Sequence, residues 1–359
     1  LLETGIKDRY LFCSGEHGLW QSADLGNYPD KDAVAVKQIE GQVHDHSGNH
    51  GAHSISTVAV HPKDPNTIYI LMWRQEHRGK FRRSTDGGKT WSNPLFINND
   101  TGIIDVAFAP ENFKVMYAAS WERERKAWNF DGDGKNSAIY KSTDAGNTWS
   151  KISEKSGFPV GDGVGRIGLA VFNENTVYAL HDSQFRRPKD ADKKASSELS
   201  KDDFKTMSSD DLLKLEDKKL NAYLKNNGFQ EKYRAQNVKQ MVRVGSVKPA
   251  DLASYLEDAN SMLFDTPVIG AEVFKTTNGG KSWKKTHKDF LNGVYSSYGY
   301  YFGEIRVDLQ DENGIYVLGV PIIKSKDGGK TFTSISRENV HSDHQALWVN
   351  PKKSGHILN

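Results

Sequence analysis

Ser84-Thr85-Asp86-Gly87-Gly88-Lys89-Thr90-Trp91 is the stretch that decides the fold. Its pattern, Ser/Thr-x-Asp/Asn-x-Gly-x-Thr/Ser-Trp/Phe, recurs at 142–149, 276–283 and 325–332, and Ser22-Ala23-Asp24-Leu25-Gly26 keeps its first half. Asp and Asn accept hydrogen bonds from nearby backbone N–H groups, and glycine supplies the positive φ of a tight hairpin. The closing ring returns to an apolar interior. Asp86 and Trp91, Asp144 and Trp149, Asn278 and Trp283, and Asp327 and Phe332 are therefore structural residues of four Asp boxes.

Outward from each box the same context repeats. A short strand precedes it: 80–83, 138–141, 272–275 and 322–324. Before that lies a strand-turn-strand unit, at 55–70, 104–119, 166–180 and 304–318, with a fifth beginning at Gln345. The boxes are 58, 134 and 49 residues apart (84 to 142, 142 to 276, 276 to 325). The short spacings suit four-stranded units, and the long one is a unit carrying an insertion. One such unit cannot bury its own faces, whereas radial stacking buries them and protects the edges. The expected fold is an all-β Asp-box β-propeller, incomplete in this chain, with a helical insertion. Propeller units occupy 1–180 and 271–359 and continue beyond the last residue; the insertion occupies 181–270.

Within the insertion, 188–201 is polar. Ser208 to Asn226 reads as a helix capped by Ser209, with Leu212, Leu213, Leu215, Leu220 and Leu224 on an apolar face. A second helix is expected over 229–243 and a third from Pro249.

The 359 residues are 36% hydrophobic and carry a net charge of +2, so a core is affordable in composition and a nucleic-acid or anionic-membrane partner has no electrostatic support. No apolar run approaches the length of a membrane-spanning helix. The single cysteine, Cys13, excludes an internal disulfide.

Candidate chemistry is scattered. His341, Asp343 and His344 form a dense group that could ligate a divalent ion, and His44-Asp45-His46 and His50 to His53 stand before an earlier repeat. The bland reading is a polar strand entry. Trp73 and Arg74, Trp121 and Arg123, Trp128, and Arg166 are candidates for ligand recognition on loops and strand ends; inter-sheet packing and ion pairs are the alternatives. Tyr298, Tyr300 and Tyr301 crowd the approach to the Glu304 strand. Asp131-Gly132-Asp133-Gly134 lacks the further alternate ligands of a calcium loop and reads as a turn. No cofactor motif is present.

Gly102-Ile103-Ile104-Asp105-Val106, Tyr117 to Arg123, Gly165 to Val171 and, above all, Val340-His341-Ser342-Asp343-His344-Gln345-Ala346-Leu347-Trp348 carry a family resemblance. Over 11–180 and 271–359 the sequence resembles large bacterial exported proteins with sortilin-type propeller domains, often labelled glycosyl hydrolase or BNR-repeat proteins by similarity. It departs from them in carrying Gln345 where a second His usually stands. The resemblance implies a secreted or cell-envelope protein. Its favoured role is a non-catalytic scaffold binding a polypeptide or an envelope complex, an enzyme being the less favoured reading. The alternative is a glycoside hydrolase or lyase acting on a polysaccharide through two carboxyl groups. The residues of a sialidase site are not assembled by the sequence.

Overall fold

The structure is a computed structural model that describes residues 2–7, 9–14, 18–23, 35–40, 55–72, 81–125, 130–187, 199, 201–227, 229–254, 268–295, 298–337 and 339–359. It divides into two compact units, Leu1–Arg186 with Val268–Asn359, and Arg187–Pro267.

The first unit is a succession of antiparallel meanders. The first sheet is β1 (Leu2–Glu3), β2 (Tyr10–Ser14), β3 (Gly18–Ser22) and β4 (Val36–Glu40); the second is β5 (Ile55–His61), β6 (Asp64–Met72), β7 (Phe81–Ser84) and β8 (Ser92–Leu95). In the third, β9 (Thr101–Phe108) and β10 (Met116–Glu122) are followed by a small hairpin, β11 (Glu124–Arg125) and β12 (Phe130–Asp131), before β13 (Ile139–Ser142) and β14 (Ser150–Lys151). The fourth comprises β15 (Val164–Val171), β16 (Val177–Arg186), β17 (Val268–Thr276) and β18 (Lys284–Lys285). The fifth comprises β19 (Ile305–Asp308), β20 (Asp311–Leu318), β21 (Ile322–Ser325) and β22 (Thr333–Ser334), and a last pair is β23 (Trp348–Val349) with β24 (Ile357–Leu358). Among the described residues no sheet closes on itself, and helices accompany the strands, so the all-β expectation becomes a mixed architecture of propeller-like sheets with a helical segment.

Strand alternation builds the layers between sheets. On β6, Ile68 and Ile70 meet Leu11 and Leu19 of the sheet before, while Tyr69 and Leu71 meet Ile103 and Met116 of the sheet after. The period of two repeats on β10, β16 and β20, so each sheet interface holds one apolar layer. A fully buried Leu, Ile or Phe contributes about 1.5–3 kcal/mol, so these layers dominate cohesion. A tyrosine bridges three of these layers. Tyr69 donates its hydroxyl to Ala145 O at 2.9 Å, Tyr117 to Glu174 O at 2.9 Å and Tyr178 to Glu312 O at 2.7 Å, each acceptor lying in the next sheet.

The boxes are hydrogen-bonded cages. Asp86 Oδ1 accepts from the Lys89 and Thr90 N–H groups, its Oδ2 from the Thr90 hydroxyl at 2.6 Å, and Ser84 Oγ accepts from Gly88 N. Asp144 and Asp327 repeat this, and their carboxyls are pulled down to about 2, chiefly by the Thr148 and Thr331 hydroxyls. Asn278 keeps the pattern without charge, accepting from Ser282 N and donating to Ser282 Oγ. The rings Trp91, Trp149, Trp283 and Phe332 all pack into the layer shared with the preceding sheet.

The second box carries a flaw. Its left-handed position is Ala145 (φ 58), where the other boxes have Gly87, Gly279 and Gly328. Left-handed backbone costs an alanine roughly 1 kcal/mol. Ala145→Gly is expected to stabilise the protein by about 0.5–1 kcal/mol in urea unfolding, despite the usual entropic penalty of glycine. An unchanged or lowered midpoint would show that the turn bears no strain.

The second unit holds α1 (Lys201–Thr206), α2 (Ser209–Lys214), α3 (Asp217–Asn226), α4 (Ala235–Arg243) and α5 (Pro249–Ser254) around Phe204, Leu212, Leu220, Leu224 and Val238. The helix expected over 208–226 is two helices, because Leu215 adopts an extended backbone (ψ 144). Ser208 caps α2, accepting from Asp211 N, where the sequence suggested Ser209.

Candidate functional site

The meander register explains which side chains meet. Tyr69, Tyr117, Tyr178 and Tyr316 pair with Ala59, Ala107, Ala170 and Arg306 on the first strands of their sheets. Two residues earlier stand Thr57, Asp105 and Gly168 on their first strands and Glu304 immediately before β19. Asp105 and Glu304 thus occupy equivalent places on the third and fifth sheets. Gly168 leaves that place without a side chain on the sheet between them.

Arg166 of β15 is the cation of this row. Its Nη1 donates to the carbonyls of Tyr300 (3.2 Å) and Tyr301 (3.3 Å), and its Nη2 lies 3.4 Å from Glu304 Oε1. Arg306 completes the clamp, with Nη1 2.7 Å from Glu304 Oε2. Glu304 therefore bridges two guanidinium groups. Asp105 is partly buried; its Oδ2 accepts from Leu169 N at 2.8 Å, and its Oδ1 has no hydrogen-bond partner among the described residues. Burial first, and the Glu304 charge second, push the Asp105 carboxyl up to about 6 against the opposing pull of Arg306 and Arg166. A carboxyl that keeps its proton into the mildly acidic range can act as a general acid, and a carboxylate fixed between arginines can stabilise positive charge or activate water.

Asp182 and Asp133 form a second pair of carboxyls. Asp182 of β16 is buried, accepts from Gln184 Nε2 at 2.8 Å and is pushed up to about 7, mainly by burial. Asp133 is raised by burial as well and accepts from Gly163 N.

Aromatic side chains flank the row. Trp121 stands 6.4 Å from Phe130, and Phe130 stands 4.6 Å from Tyr300 (ring centroids). Tyr301 beside them is 57% exposed and offers a ring to solvent.

Of the residues singled out in the sequence, Arg166 sits at the centre. Trp121 is buried, donates from its indole N–H to Gly132 O at 2.7 Å and carries the Arg123 guanidinium 5.0 Å from its ring, so it supports the aromatic flank from within. Trp73, Arg74, Trp128 and the histidines at 44, 46, 50 and 53 lie outside the described residues. His341 and Asp343 are exposed, whereas His344 is buried with Nδ1 2.8 Å from Asn359 Nδ2. Among the described residues no three His, Cys, Asp or Glu side chains are placed to hold a metal ion. Asp105 looks like one polar residue in an apolar strand and Glu304 like a polar residue just ahead of one, so neither stands out; aligning the repeats on their tyrosines finds both.

The BNR/Asp-box repeat family matches residues 82–93. Xyloglucanase Xgh74A of Acetivibrio thermocellus is 24% identical over 146 residues, covering 37% of this chain and 16% of that protein. Among solved structures, an ancestral GH74 enzyme superposes with a TM-score of 0.51 at 12% identity, over 99% of this chain and 33% of that one. The GH74 xyloglucanase of Xanthomonas campestris gives 0.47 at 15% identity, over 90% of this chain and 35% of that one. The chain thus spans about a third of the length of these solved relatives. The ancestral enzyme shares its fold. The expectation of a non-catalytic, protein-binding scaffold, with an enzyme as the less favoured reading, is corrected here, because the relatives matched in sequence and in fold are glycoside hydrolases.

Proposed function

We propose that the chain is part of a glycoside hydrolase acting on a polysaccharide, that its sheets are blades of a β-propeller, and that Asp105 and Glu304 are its working carboxyls. The observation that carries this is the Asp105 carboxyl, held up to about 6 beside a glutamate clamped by Arg166 and Arg306. Protonated Asp105 donates to the glycosidic oxygen through its free Oδ1. Ionised Glu304 faces the oxocarbenium-like charge or the attacking water. Exposed Tyr301 supplies a flat face for a sugar ring. Secretion or an envelope location fits a polymeric substrate, and the motifs around 117–123, 165–171 and 340–351 support the narrower sortilin-type likeness.

Xyloglucan is the first substrate to try, from the name of the sequence relative. Reducing-end release by the protein carrying this chain is expected to fall at least about a hundredfold in Asp105→Asn. Because the acid form of Asp105 is required, kcat/KM is expected to decline as pH rises through about 6. Glu304→Gln is expected to lose activity too, with a lower melting temperature because two ion pairs go. A native rate in Asp105→Asn, or no release from xyloglucan and a panel of β-glucans, would overturn the reading.

A further inference from the structure

The Asp105–Glu304 row lies at the first strands of its sheets; a second feature lies at the Asp boxes that join the third and last strands. Between the fourth and fifth sheets runs a groove of about 440 Å³, lined by Lys275, Lys284, Lys285 and Lys330 together with the hydroxyl residues Thr277 and Ser282. Two of the lysines are paired, Lys285 Nζ at 2.7 Å from Glu272 Oε1 and Lys275 Nζ at 3.7 Å from Glu312 Oε1. Lys284 and Lys330 have no carboxylate partner among the described residues. Asp327 also borders the groove, but its oxygens are taken by Lys330 N, Thr331 N and the Ser325 and Thr331 hydroxyls. The groove therefore has cations to spare and no free anion to answer them.

The position is a product of the repeat. A groove of about 470 Å³ occurs at the same place between the first and second sheets, again at a box. There Arg9 donates to Gln21 Oε1, Pro65 O and Gly87 O, while Lys37 and Lys89 stand where Lys284 and Lys330 stand in the later groove. Between the third and fourth sheets the corresponding lysine, Lys141, reaches across and donates to Gly279 O at 3.0 Å. Its counterpart Lys275 keeps the same ring contact, 5.0 Å from Tyr178 as Lys141 is 5.3 Å from Tyr117, and reaches Glu312 of the next sheet. The later groove adds Lys275 and Lys285 to the lysine pair that both grooves share.

We propose that this groove binds an acidic polysaccharide through its sulfate or carboxylate groups. Unpaired ammonium groups answer the anions, and the hydroxyls answer sugar hydroxyls. Among the described residues the lining has no aromatic ring on which a base could stack, and the net charge of +2 provides no general field for nucleic acid. The proposal does not depend on catalysis at Asp105.

The test is calorimetric titration of the protein with dextran sulfate, polygalacturonate and neutral dextran. Sulfated or uronate polymer is expected to bind, less well as salt rises to about 0.3 M, and neutral dextran not to bind. Preference between the two acidic polymers tells sulfate from carboxylate as the recognised group. Lys284→Ala/Lys330→Ala should weaken binding about tenfold with an unchanged melting temperature. Lys218→Ala/Lys219→Ala, which removes the same charge from α3, should not. Asp105→Asn should bind like the native protein, which separates this result from any failure of the hydrolase reading. Equal binding by the Lys284/Lys330 variant, an equal loss in the Lys218/Lys219 variant, binding of neutral dextran as tightly, or no binding of either acidic polymer would each overturn the proposal.

Discussion

Gly168→Ala is expected to destabilise the protein by about 3 kcal/mol, the upper end of what overpacking costs. A Cβ at Gly168 would stand 1.8 Å from Gly303 O and 3.0 Å from Gly303 C. Both are backbone atoms, so no rotamer change relieves the clash. Strand β15 and the segment leading into β19 must separate, and that segment carries Glu304 away from Arg166. Gly161→Ala is the matched control: that glycine has a positive φ (97°) and nothing within 4 Å of its Cβ, so it carries backbone strain without a clash. Gly168→Ala should lose clearly more in urea unfolding than Gly161→Ala. A Gly168→Ala protein within about 1 kcal/mol of native would mean that the sheets slide apart easily.

Asp182→Asn is expected to stabilise the protein at alkaline pH. Asp182 is only 1% exposed, has one hydrogen-bonded oxygen, and leaves Oδ2 without a partner among the described residues. Gly299 lies directly over it: a Cβ there would fall 2.1 Å from the carboxyl carbon. Burial pushes the carboxyl up to about 7, with the Asp133 charge adding to it and the Gln184 bond and Arg166 opposing. The folded-state pKa lies above the unfolded value, so the folded protein holds the proton more tightly. Stability from this group is full below about pH 4 and is lost as pH rises through about 7. The loss is on the order of 4 kcal/mol, at about 1.4 kcal/mol per tenfold in proton affinity. Asn cannot ionise, so the variant should gain about 2–4 kcal/mol over the native protein at pH 8 and nothing at pH 4. Lower stability of Asp182→Asn at pH 8 would show that the carboxylate has a counter-charge.

The two positions show what the sequence could and could not disclose. The boxes were legible because Asp86, Asp144, Asn278 and Asp327 each complete a cage within about five residues of themselves, and local chemistry leaves a local pattern. The sheets followed from strands between boxes. The carboxyls were not legible because their partners are far along the chain: Asp105 meets Leu169, and Glu304 meets Arg166. Asp182 looks like an ordinary polar end to a strand until Gly299 covers it. Arg166 drew notice in the sequence only for standing at a strand start, and the structure adds what it faces. In the helical unit, the periodic leucines marked the apolar face but not the break at Leu215, since a single extended residue leaves the leucine spacing almost undisturbed.

The tyrosine bridges give the scaffold a sense of direction. Each hydroxyl reaches forward into the following sheet, and each box ring leans back into the preceding one. The second, third and fourth sheets thus each have a socket on one side and a plug on the other. Tyr316 continues the series on the fifth sheet, and its hydroxyl is buried with no partner among the described residues. Head-to-tail parts of this kind join in one order only, so duplicating a unit adds a compatible neighbour, whereas inverting one would bury two hydroxyls against each other. A lineage built this way can lengthen by simple copying, and the individuality of each copy is left to residues outside the plug and socket, as at Asp105, Gly168 and Glu304.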